Sequence, residues 1–148
     1  MAKWYVAALA AAVGIAAVSV GSYAVAQADV IQARKELMKA NKDAAAAIKK
    51  IVEAGGPAAD VVAPAQKIAD DALKVPAGFP KGSDKGKTDA KPEIWAKWDE
   101  FTKDATNNHE AALKLVAAAK SGDMGAVKAA FGALGATCGA CHKQFKEK

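Results

Sequence analysis

Cysteine, histidine and aromatic residues are all scarce in this chain. Its 148 residues include two cysteines, two histidines, three Trp, two Tyr and four Phe. With no third cysteine, and with His109 the only histidine besides His142, a zinc site would lack ligands at workable spacing. Few β-branched or aromatic residues argue against a sheet, because strands draw on both. No stripe of Arg interleaved with aromatics is present, which speaks against nucleic acid as a partner. Internal repeats are missing, and no general acid or base is aimed at a substrate site, so an enzyme is not expected.

Charge-free runs are short, with one exception. Residues 4–26, WYVAALAAAVGIAAVSVGSYAVA, follow Lys3 and lead into Ala24-Val25-Ala26 and Ala26-Gln27-Ala28. Small residues at alternate positions after an apolar stretch are the mark of a cleaved secretory signal. A signal peptide over residues 1–28 is therefore expected, with the mature domain over 29–148 and the periplasm as its compartment. The competing reading is an uncleaved anchor, which the length would allow and which alone would bring a membrane into the account. Without Lys3 the formal charge falls from +5 to about +4, a mildly basic and mixed surface.

What is abundant is alanine and lysine, a composition that favours helix. Breakers cut the mature chain into four helical stretches. The first spans 29–54, with Asp29 as its N-cap, and stops at Gly55-Gly56-Pro57. The second spans 58–74; Pro64 is tolerable only near a first turn, so its regular part is expected to begin after Ala58. Residues 75–91 hold Pro76, Pro80 and several glycines and read as a long loop. Pro92 opens a third helix reaching about Lys120. Ser121-Gly122-Asp123 is a stop and a new cap, and the last helix starts at Met124. The expected fold is all-α, an antiparallel four-helix bundle.

Two inner faces carry unusual residues. In the first helix Ile31, Arg34, Met38, Asn41, Ala45, Ile48 and Val52 follow 3-4 spacing, yet Arg34, Met38 and Asn41 do not suit an apolar core. Either Arg34 reaches out of the end of the seam or it meets something anionic. In the last helix Cys138, Cys141 and His142 share one side with Phe131 and Phe145. Gly132, Gly135 and Gly139 lie among them, and glycine inside a helix costs about 1 kcal/mol relative to alanine. Room for a flat object against the backbone would account for them.

The pair Cys138-Gly139-Ala140-Cys141, followed at once by His142, admits four readings. A local disulfide closes poorly on a regular helix. A thiol switch would sit at a helix N-terminus after a strand. Zinc lacks ligands, and His109 is better read as solvated. Covalent attachment of haem c remains: two thiols add to the vinyl groups, and the adjoining His142 ligates iron. The haem propionates would supply the anion for Arg34.

The whole mature chain resembles the cytochrome c′ group, the class II c-type cytochromes. The segments that carry the likeness are ARKELMKA, KPEIWAKWDEF and AAFGALGATCGACHKQFK. Cytochrome c′ is itself a standard example of the four-helix bundle. The resemblance implies that Arg34 lies near a propionate and that Met38 faces the iron opposite His142. Where many members have Leu or Phe, Met38 is a ligand type that would give low-spin iron and a higher potential. Trp95, Trp98, Phe101, Phe131 and Phe145 are expected around the porphyrin or in the core. Lys146 stands where the group often has Arg. The implied function is single-haem electron transfer with redox partner proteins, the alternative being NO or CO binding at an open iron. A homodimer through the first two helices is a further implication. Lysines at 81, 85, 87, 91, 143, 146 and 148 form either a docking surface or a solvated face.

Overall fold

A computed structural model describes residues 19–147, with side chains described from residue 28 onward. The expected leader at 1–28 lies for the most part outside the described residues. Helix α1 runs Ser19–Ala54, so Asp29 is not its cap. Alanine and glutamine around Asp29 are good helix formers, and one Asp costs too little to stop the helix. The far end falls where the breakers predict. Gly55 takes φ +65°, a conformation glycine adopts without steric cost, and Gly56 N–H returns to Ile51 O at 2.9 Å.

A 3₁₀ turn, Ala58–Val61, leads into α2, Val62–Ala72. Pro64 thus stands in the first turn, where its missing N–H is no loss. The loop follows with one 3₁₀ turn at Pro76–Gly78. The expected single helix from Pro92 is divided into α3, Glu93–Ala96, and α4, Trp98–Lys120. Lys97, at φ −122° and ψ 46°, breaks it. No helix-breaking residue marks the spot. The interruption accompanies a tertiary tie, in which Trp95 Nε1–H is shared by Phe79 O at 3.1 Å and Pro80 O at 3.0 Å.

Helix α5 is Met124–Phe145, capped by Asp123 as expected; its Oδ1 accepts from Gly125 N–H at 2.8 Å and Ala126 N–H at 3.1 Å. The tail is bound to the loop. Lys91 N–H donates to Phe145 O at 3.0 Å and Glu147 N–H to Asp89 O at 2.7 Å.

The four long helices form the expected bundle. Helix α1 packs on α2, α2 on α4 and α4 on α5, but α1 and α5 scarcely meet. One core, built on Ile48, Val61, Ile68, Leu115, Val127 and Leu134, holds the closed seams. Each large side chain so buried contributes about 1.5–3 kcal/mol. A second core of Val75, Phe79, Ile94, Phe101 and Phe145 closes the loop end. Along α5, an apolar helix, the buried residues are Val127, Leu134 and Phe145. The seam between α1 and α5 stays open.

Candidate cofactor site

Two adjoining cavities occupy that seam. The larger, about 320 Å³, is lined by Met38 and Asn41 from α1, Asp104 and Asn108 from α4, and Phe131, Gly135, Cys138, Cys141 and His142 from α5. The smaller, about 200 Å³, is lined by Arg34, Met38, Phe79, Thr88, Phe101, Cys141, His142 and Phe145. Met38, Cys141 and His142 border both, so one continuous space passes between α1 and α5. It is of the size that holds small cofactors, about 300–1,000 Å³.

Both cysteines are free thiols, Cys138 exposed and Cys141 half-buried. Helical spacing alone puts them on one side with His142. Asn108 Nδ2–H donates to Thr137 Oγ1 at 2.8 Å and to Cys138 Sγ at 3.3 Å, fixing the first sulfur against α4. Burial, then the charges of Asp104 and Cys138, push the Cys141 thiol up to about 11. Such a thiol is protonated at neutral pH, the opposite of what a redox switch needs. The His142 imidazole is held below its ordinary value by burial and then by the charge of Lys146.

Arg34 is 4% exposed, so it does not reach out of the seam. Its Nη2 donates to Ser83 O at 2.8 Å and Thr88 Oγ1 at 2.9 Å, and its Nη1 to Ser83 Oγ at 3.3 Å. The ring of Phe79 lies 4.7 Å from its guanidinium carbon. Gly78 permits this approach: a Cβ there would come within 3.2 Å of Arg34 Cβ. Every one of these partners is neutral, and burial lowers the Arg34 pKa. A buried cation served only by neutral groups leaves a charge for an anion to balance. Asn41 is unbalanced in another way, since its Oδ1 is out of solvent and has no hydrogen-bond partner.

Phe101, Phe131 and Phe145 line the space as expected, whereas Trp95 and Trp98 line neither cavity. Trp95 is anchored to the loop, and Trp98, 38% exposed, lies with its ring centroid 5.6 Å from that of Phe101. Of the three glycines, only Gly135 opens onto the cavity; nothing in the structure explains Gly132 and Gly139. Phe79, Ser83 and Thr88 went unforeseen because they fall in a stretch legible only as loop. Asp104 and Asn108 went unforeseen too, although their i, i+4 spacing on α4 was an available signal.

An open seam, two thiols and an imidazole on one wall, a thioether on the other and a cation without an anion together fit haem c. The thiols suit the vinyl groups and the guanidinium suits a propionate. Comparison with known proteins agrees. The family model described as cytochrome C′ matches residues 29–146. Cytochrome c′ of Rhodospirillum rubrum is 43% identical over 83 residues, which span 55% of this chain and 56% of that relative. The crystal structure of cytochrome c′ from Thermochromatium tepidum superposes with a TM-score of 0.77 at 32% identity, covering 82% of this chain and 97% of that one. A nitric oxide complex of a mutant of cytochrome c prime from Alcaligenes xylosoxidans gives a TM-score of 0.74 at 29% identity, with 82% and 97% covered.

Proposed function

This chain belongs to the cytochrome c′ family, and on that premise we propose that it is a single-haem electron carrier of the periplasm. It is a c-type cytochrome holding one covalent haem c, a group that supplies reversible one-electron chemistry at iron. In this reading Cys138 and Cys141 would anchor the group, and His142 and Met38 would be the residues that ligate its iron. Arg34 pairs with a propionate, and Phe101, Phe131 and Phe145 keep water from the seam.

One observation carries the reading: Met38 on α1 and His142 on α5 border the same space. A thioether and an imidazole held by two different helices suit an iron that keeps both ligands in both oxidation states, the condition for fast electron exchange. Self-association through α1 and α2 and redox partner proteins belong to the same proposal.

The second reading is gas binding with Met38 off the iron, favoured by the nitric oxide complex of the Alcaligenes xylosoxidans relative. The optical spectrum of the purified protein separates the two. Six-coordinate low-spin iron, converted to a CO-binding form by Met38→Leu, is the expected result. High-spin ferrous iron that takes up CO at once overturns the carrier reading.

A further inference from the structure

We propose that Asp104 tunes the reduction potential of the cofactor, its carboxylate standing opposite Cys141 as a fixed negative charge that favours ferric over ferrous iron. The inference rests on the reading of Cys138 and Cys141 as the haem anchors and is independent of whether Met38 ligates.

Three contacts fix the register of α4 against α5. Asn108 Nδ2–H donates to Cys138 Sγ at 3.3 Å, and the ring centroids of Phe101 and Phe145 lie 5.3 Å apart. Gln144 Nε2–H donates to Glu100 Oε2 at 2.6 Å. The two helices therefore run antiparallel. Phe101, Asp104 and Asn108 share one face of α4 at spacings of three and four. Cys138, Cys141 and Phe145 repeat those spacings on α5 in the opposite sense. Asp104 thus falls across from Cys141, between the two fixed contacts, and both residues line the larger cavity.

The carboxylate is uncompensated. Asp104 is half-buried, yet no ion pair or side-chain hydrogen bond engages it among the described residues. Lys42, the lysine on the same cavity wall, is exposed and does not pair with it. Apolar side chains such as Ile68, Val75, Phe131 and Leu134 line much of the remaining wall and offer the charge no partner. Its field crosses the helix interface: after burial, the charge of Asp104 is the next cause that keeps the Cys141 thiol protonated.

Loss of one electron from ferrous haem to an external acceptor leaves the site one unit more positive. A carboxylate held beside the attachment point stabilises that added charge by Coulomb attraction, more strongly against an apolar wall than in water. Asparagine at this position would keep the shape and remove the charge, whereas glutamate would keep the charge.

The test is a redox titration of wild-type, Asp104→Asn and Asp104→Glu holoproteins against mediator dyes, with optical spectra and haem staining in parallel. In Asp104→Asn the ferrous form should be favoured about tenfold more, a rise of about 59 mV for a one-electron couple. Asp104→Glu should stay close to wild type, and the spectra should match in all three. An unchanged potential in Asp104→Asn overturns the proposal. So does an equal rise in Asp104→Glu, since shape rather than charge would then be responsible, or a rise accompanied by a changed spectrum, since ligation would be. Wild type without covalent haem overturns the anchor reading and this inference together. Covalent haem in all three proteins with a single potential overturns this inference alone.

Discussion

Arg34 and Phe79 are stacked, with the guanidinium carbon 4.7 Å from the ring centroid, and this contact joins α1 to the loop that closes the cavity. The same guanidinium holds Ser83 and Thr88, so one side chain organises the segment from Phe79 to Thr88. Replacing Arg34 by Ala should lower stability by about 1–3 kcal/mol, the range for losing charged hydrogen bonds. Arg34→Met, which keeps the volume and removes the buried charge, should cost less. Urea unfolding of the two variants checks the order; equal losses would mean the charge is already balanced.

Asp71 gives a pH dependence. Its carboxyl is 4% exposed and accepts from Lys67, and from Lys74 at 2.9 Å. Burial works to raise its pKa, but the hydrogen bonds and charges of Lys67 and Lys74 outweigh burial and hold it below the ordinary 3.8. A depressed folded value adds stability that is complete above the unfolded pKa and lost as pH falls through the folded one. Stability should therefore be flat near neutrality and decline below about pH 4, the usual carboxylate range. In Asp71→Asn part of that acid limb should vanish, with a neutral-pH loss of about 1 kcal/mol because both lysines are largely exposed. Unfolding midpoints across pH for the two proteins read the difference.

The two cysteines should act independently as anchors. Cys138→Ser and Cys141→Ser should each keep haem through denaturing electrophoresis, by the remaining thioether. The double variant should release it. Haem staining of the gel decides, and retention by the double variant would rule out thioether attachment at these positions.

Asp123 caps α5 through Gly125 and Ala126. Asp123→Ala should cost about 1 kcal/mol. Because the cap lies at the opposite end of α5 from Cys138, the optical spectrum should not change. Thermal unfolding with a parallel spectrum tests both halves.

Much of the fold was legible because helix ends are local events. Gly55, Pro64 and Asp123 act within one turn of themselves, and each is found where its chemistry predicts. The motif Cys138–His142 was legible for the same reason, since spacing along one helix is fixed by the helix. The local reading failed at Asp29 and Lys97. Asp29 is a capping residue that the helix runs through, and Lys97 interrupts a helix without any breaker. Helix propensities differ by only about tenths of a kcal/mol, so favourable flanking residues or a tie such as that of Trp95 to the loop can override them.

The sequence by itself determined most helix ends, the Cys138–His142 motif and the odd polar residues on the inner face of α1, because all three depend on near neighbours. Only the tertiary structure decided that α1 and α5 stay apart, that Met38 and His142 border one space, and that Arg34 is buried with neutral partners. It also separated Phe101, Phe131 and Phe145, which line that space, from Trp95 and Trp98, which do not. The physical reason is that burial and pairing depend on which helices pack against each other. Three seams of this bundle are filled by its own side chains, while the fourth, which they leave open, holds the thiols, the imidazole and the thioether.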